Sequence, residues 1–160
     1  MIVFSNTTPL IALSAIEQLD LLPQLFHEIY VVETVVVECA KGGRIIVPDL
    51  TKLEWLHCVE NKYCTHNPML IALDDGEKHT IEAALAHQAN YTIIDEKLGR
   101  TIAEYLGLKI IGTLGVLLKA KQQGLISSFI TCVQEMQQCG LRYNQQLVTR
   151  LALKAGEKCD

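Results

Sequence analysis

Short, unbroken apolar runs set between helical patterns constrain this chain more than any other feature. Ile29-Tyr-Val-Val32 and Tyr91-Thr-Ile-Ile94 are continuous stretches of aromatic and β-branched residues, without the alternation of a strand that has one face in water. Such runs suit strands buried on both faces, and those belong to parallel sheets covered by helices. Ile2-Val-Phe-Ser5 and Lys109-Ile-Ile111 read the same way, and Leu53–Val59 supplies a further strand at an edge.

Between the strands the period changes to that of helices. Asn6-Thr-Thr-Pro9 is a turn and helix start, with Thr7 or Thr8 placed to cap and Pro9 suited to a first turn. Leu10, Ile11, Leu13, Ile16 and Leu19 then form an apolar face, and Asp20 opens a short helix carrying Leu21, Leu22, Leu25 and Phe26. Glu33 to Ala40 can continue the preceding strand through Val35-Val-Val37. A helix is preferred, because ending the strand at Val32 puts Glu33 and Thr34 at its start, and Lys41-Gly-Gly43 ends it. Residues 44–68 carry the least pattern, and the polar loop at 60–68 suits substrate contact. Leu73-Asp-Asp-Gly-Glu77 opens a helix reaching Ala89-Asn90, and further helices are predicted over 96–106, 112–124, 126–138 and 144–155. The alternation predicts one three-layer α/β domain over 1–160, a parallel sheet flanked by helices.

Composition narrows the function. Hydrophobic residues make up 49% and charged residues 20%, as in an ordinary globular chain. No run of about 18 uncharged apolar residues predicts a membrane span, and the N-terminus reads as a strand rather than a signal peptide, so a cytoplasmic protein is expected. The six cysteines include no C-x-x-C pair, and Cys58 and Cys64 with His57 and His66 match no zinc template. A net charge of −4 argues against strong non-specific DNA binding, but not against a nuclease whose metal site is itself acidic.

Four polar residues fall near strand ends or helix starts: Asn6, Glu38, Glu77 and Asp95. Carboxylates gathered at one end of a parallel sheet suit magnesium or manganese, which take oxygen ligands and orient water. Each residue has a structural rival. Asn6 is a turn residue, Glu38 a solvated side chain, Glu77 the partner of Asp74 in a capping box, and Asp95 a cap for the helix from Glu96. Lys97 and Arg100 lie within a turn of Asp95 and could meet phosphate, with an Arg100–Glu104 ion pair as the alternative. Gly112-x-x-Gly115 lacks the lysine and spacing of a phosphate loop and reads as a tight strand-to-helix turn. His79 and His87 fall on the exposed side of their helix.

Four segments in order, Ser5-Asn-Thr-Thr-Pro-Leu-Ile-Ala-Leu13, Leu73-Asp-Asp-Gly-Glu77, Ile94-Asp-Glu-Lys-Leu-Gly-Arg100 and Ile111-Gly-Thr-Leu-Gly-Val-Leu-Leu-Lys-Ala-Lys121, resemble an uncharacterised prokaryotic PIN-like family, similar to the toxin nucleases of toxin–antitoxin pairs. The resemblance implies a PIN fold and a ribonuclease site dependent on Mg2+ or Mn2+. The family's acidic positions fall on Asn6, Glu38, Glu77 and Asp95 as metal ligands, with Glu38, Glu77 and Asp95 as the catalytic set. Thr7, Lys97, Arg100 and Thr113 would contact the RNA substrate. A homodimer and a small antitoxin-like protein partner are implied with it. Asn6 departs from the family, which usually carries aspartate there. The alternative is therefore a catalytically impaired module that binds RNA or a protein partner without turnover.

Overall fold

The computed structural model describes residues 1–61 and 67–158. Cys64, His66, Cys159 and the middle of the polar loop at 60–68 lie outside the described residues.

Five strands, β1 (Val3–Ser5), β2 (Ile29–Val32), β3 (Leu56–Val59), β4 (Tyr91–Ile93) and β5 (Ile110–Ile111), form one sheet in the order β3-β2-β1-β4-β5. Every pair is parallel, with Phe4 opposite Tyr30 on one side and Thr92 on the other. Among the described residues, eight α-helices surround it: α1 (Thr7–Ala15), α2 (Leu21–Phe26), α3 (Glu33–Ala40), α4 (Asp75–Ala86), α5 (Lys97–Tyr105), α6 (Thr113–Gln122), α7 (Phe129–Gln138) and α8 (Gln145–Lys154). Short 3-10 turns at Leu50–Lys52 and Pro68–Ala72 lie in the weakly patterned region. Among the described residues, no helix is long and apolar enough to cross a membrane.

The pleat distributes the aromatics to two layers. Phe4 meets His87 at the end of α4, with ring centroids 5.5 Å apart. Tyr91, opposite Val3 and therefore on the other face, meets Phe26 of α2 at 6.5 Å. The helices α3, α4 and α5 pack in a row, while α6 packs with α2, α7 and α8. Phe4, Phe26, Phe129, Leu10, Leu13 and Ile81 are fully buried between these layers, each contributing about 1.5–3 kcal/mol from removal of apolar surface.

The segment after Val32 is helix, not continued strand. Val35 and Cys39, four residues apart, are buried on one face of α3, while Val37 points outward at 56% exposure. The strand at Leu56–Val59 is indeed an edge strand. The first helix is shorter than its apolar face suggests. It ends at Ala15, and Glu17 adopts φ 56° so that Leu19 is buried from a turn rather than a helix. Of the described cysteines, Cys39 and Cys132 are buried and Cys58 and Cys139 exposed, all free.

The order of strands reverses about β1: β2 and β3 extend to one side, β4 and β5 to the other. In open parallel sheets, the crevice outside the carboxyl ends at such a reversal is where ligands bind. Asn6 follows β1 and Asp95 follows β4 by two residues, so both stand at this crevice.

Candidate active site at the carboxyl edge of the sheet

Asn6 leaves β1 with its amide N–H donated to the Ile93 carbonyl at 3.0 Å, which ties it to β4. It occupies the N-cap position of α1, yet its side chain makes no cap bond. Its buried Oδ1 finds no hydrogen-bond partner among the described residues, and the residue is only 5% exposed. The turn role expected from residue type is therefore not what this side chain performs. An orphaned buried acceptor costs about 1–3 kcal/mol, so the position is strained toward any donor or cation that reaches it.

Thr7 donates its hydroxyl to Glu38 Oε2. Glu38 is half-buried rather than a solvated surface side chain. Its carboxylate lies over Gly76, where a Cβ would stand 2.7 and 2.8 Å from its two oxygens. Only glycine leaves room for that approach at the start of α4. The next residue is Glu77, 6% exposed. Asp74 caps α4 by accepting the Glu77 N–H at 2.8 Å, as half of the expected capping box. Glu77 Oε2 lies 3.0 Å from where a Gly99 Cβ would be, which sets it against α5. Burial first, then the charges of Asp74, Glu96 and Glu38, raise its carboxyl to about 7.

Asp95 does not cap its own helix. Glu96 does, by accepting the Leu98 N–H at 3.4 Å. Asp95 reaches instead to α6, accepting the Thr113 N–H at 2.7 Å and the Thr113 hydroxyl at 2.5 Å. Arg100 Nη1 and Asp95 Oδ1 share the surface above Gly112, at 2.6 and 3.2 Å from where a Cβ would lie. The Arg100–Glu104 pair is not formed, and among the described residues no carboxylate pairs with Arg100 or the exposed Lys97. Thr7 and Thr113, expected to touch substrate, direct their hydroxyl protons to carboxylates, which makes them holders of Glu38 and Asp95.

The candidate residues fall into two groups, Thr7 with Glu38 and, within reach of its charge, Glu77, and Asp95 with Thr113. Among the described residues, no three Asp, Glu, His or Cys side chains stand close enough together to hold an ion. The donors still fit a hard divalent cation. All are oxygens, Asn6 Oδ1 finds no partner among the described residues, and Glu77 is raised first by burial and then by neighbouring negative charge that a cation would offset. Asn6, Glu38 and Glu77 would hold it.

Several residues near the site gave no signal in the sequence. Tyr143, at the start of the segment leading into α8, comes close enough to Asp95 for that charge to act on its phenol, which burial already pushes well above its usual value. With Arg142 it lines a cavity of about 600 Å³ beside Asp95, Lys97 and Arg100. His79 is half-buried and shares a 2.6 Å hydrogen bond with Thr34, and His87 packs on Phe4, so neither is a free surface histidine. The only available cue was their position on α4 next to its apolar face.

The chain is an α/β module with a five-stranded parallel sheet between helices. The family DUF3368, described as PIN domain, matches residues 2–157, and the chain belongs to it. Among curated proteins and among solved structures, nothing matches. The PIN-like resemblance drawn from four ordered motifs and the three-layer fold are both borne out.

Proposed function

We propose that this protein is a metal-dependent endoribonuclease whose site is formed by Asn6, Glu38, Glu77 and Asp95. The reading rests on family membership for the reaction class, and on one observation for the site: a buried Asn6 Oδ1 with no partner among the described residues, one residue from the Thr7–Glu38 bond. Mg2+ or Mn2+, when bound, lowers the pKa of a water and neutralises charge on the scissile phosphate. Asn6, Glu38 and Glu77 provide the oxygens that hold the ion, and Thr7 fixes the Glu38 carboxylate. Asp95, locked by Thr113, keeps a carboxylate at the β4 end of the crevice, and Arg100 and Lys97 steady the phosphates of the strand being cut.

The test is cleavage of unstructured RNA by purified protein with Mg2+ or Mn2+, compared with chelator and with Asp95→Asn. Cleavage lost in chelator and in the variant is the expected result. No cleavage in either metal, or equal cleavage by Asp95→Asn, ends this reading. In the same reading the chain acts as the toxin of a toxin–antitoxin pair with a small protein partner. Expression that arrests growth for the parent and not for Asp95→Asn would support that role.

The neutral Asn6 favours a second reading, an RNA-binding module without turnover. An amide oxygen in place of a carboxylate leaves one fewer negative charge on the ion. Cleavage by Asn6→Asp with none in the parent supports this second reading, and cleavage by the parent ends it.

A further inference from the structure

The cavity beside Asp95 encloses about 600 Å³ between α5, β5, the start of α6 and α8, within the range of about 300–1,000 Å³ usual for small-ligand sites. Its lining is divided in character. Ile111, Leu114, Leu147 and Leu151 make an apolar wall, Lys97, Arg100 and Arg142 bring three positive charges, and Asp95 and Glu104 bring two negative ones. Among the described residues, none of those cations has a carboxylate within ion-pair distance. The charged side chains of the lining sum to +1, in a chain whose net charge is −4. A cavity with an apolar wall and a net positive lining complements a ligand that is flat and weakly polar at one end and anionic at the other.

Tyr143 adds an aromatic surface. It is half-buried, and among the described residues its hydroxyl donates to Met136 Sδ at 3.8 Å, a weak acceptor. The two glycines after β5 keep the cavity clear. A Cβ at Gly112 would stand 2.6 Å from Arg100 Nη1, and one at Gly115 would stand 2.8 Å from Ile111 Cγ1. The Gly112-x-x-Gly115 pattern, a tight turn by sequence, therefore also gives Arg100 and Ile111 their places in the wall.

We propose that this cavity is a nucleotide subsite taking one unpaired base of an RNA strand, with the base against Tyr143 and the leucine wall and its phosphate on Arg100 and Arg142. The RNA strand as occupant rests on the nuclease reading of the adjoining site. The affinity for a nucleotide rests on the cavity alone. Bases splayed from single strands stack on aromatic and guanidinium surfaces, whereas a paired base must first leave its helix. The subsite thus selects unpaired RNA and presents the phosphate next to the bound base toward Asp95.

The test is calorimetric titration of the full chain in chelator with AMP, adenosine, inorganic phosphate and the dinucleotide pApA. Two variants accompany it: Leu147→Trp, which fills the apolar half, and Arg142→Ala, at an exposed position that leaves the fold intact. AMP is expected to bind more tightly than adenosine or phosphate, and pApA at least as tightly as AMP. Leu147→Trp should weaken AMP about tenfold or more, and Arg142→Ala about three- to tenfold. Absence of AMP binding, phosphate binding as tight as AMP, or unchanged AMP affinity in both variants overturns the subsite. AMP binding with pApA excluded overturns it in favour of a free-nucleotide site. Variant-sensitive AMP and pApA binding by a protein that cuts no RNA keeps the subsite and ends the nuclease reading. Metal-dependent RNA cleavage without nucleotide binding does the reverse.

Discussion

Glu77 is the residue whose chemistry is most altered by its surroundings. Burial, followed by the charges of Asp74, Glu96 and Glu38, raises its carboxyl from 4.5 to about 7. The unfolded chain releases this proton near the lower value and the folded protein near the higher one. Protonation therefore favours the folded state: the contribution is full below 4.5 and is lost as pH rises through about 7. The difference corresponds to about 3 kcal/mol. In chelator, wild type should lose up to that much more stability than Glu77→Gln between about pH 5 and about pH 8 in urea denaturation. Parallel losses in the two proteins would show that Glu77 ionises freely. Gly76 makes the complementary case. An alanine Cβ would stand 2.7 Å from a Glu38 oxygen, the mobile end of a flexible side chain. Gly76→Ala should therefore change stability by under about 1 kcal/mol, because Glu38 can swing aside. It should lower RNA cleavage by about tenfold or more, because Glu38 is then displaced. A large loss of stability with normal cleavage would contradict this account.

At the scale of elements, α7 depends on a residue far along the chain. Glu157 accepts from the Ser128 hydroxyl, the Phe129 N–H and the Ile130 N–H, and pairs with Lys121 at 3.4 Å. Burial would raise its carboxyl, but these hydrogen bonds outweigh it and the group is held below the usual carboxylate value. Its stabilisation is present above the ordinary carboxylate range and is lost as pH falls through the depressed value. Glu157→Ala should cost about 1–3 kcal/mol near neutral pH in urea denaturation, and the cost should shrink in acid. A loss that does not vary with pH would point to packing instead. This contact also shows what the sequence could reveal. Strands and helices were readable because each depends on its own period: Val35 and Cys39 mark the face of α3, and Tyr91 to Ile93 a buried strand. Ser128 as a cap was readable in principle, since it bonds Thr131 three residues on. The partners across the fold were not. Asp95 caps α6 across 18 residues rather than the helix beside it, and Glu157 reaches back 28 residues to Phe129. No local period records which of two nearby helix starts a carboxylate will face. Asn6, Glu77 and Asp95 lie in ordered motifs and Glu38 in none of them, while Tyr143 and Arg142 belong to no motif and come beside Asp95 through the packing of α8 on α6.

For the molecule as a whole, charge is arranged against its own average. The chain carries −4, and its carboxylates Glu38, Glu77 and Asp95 lie near the crevice, yet Lys97, Arg100 and Arg142 line the cavity next to it. A strand of RNA approaching this edge meets a chain of net negative charge, with Lys97, Arg100 and Arg142 set beside Asp95 and Glu104 at the cavity. Binding should therefore involve few phosphates. With those three cations engaged, the slope of log Kobs against log salt for single-stranded RNA is about 0.7 times three, near −2. The measurement is best made with Asp95→Asn in chelator, so that no strand is cut during titration. Arg142→Ala should bring the slope to about −1.4 and weaken binding to every sequence alike. A slope near −5 would mean that a broader surface carries the RNA, and the cavity wall would then be a minor contributor. A slope near zero would place the binding energy in the bases alone. Between those limits, the shallow value follows from the same arrangement that gives the crevice its acidity: the reversal of strand order at β1 and β4 sets the carboxylates at one end of the sheet, and the packing of α8 on α6 adds the guanidinium beside them.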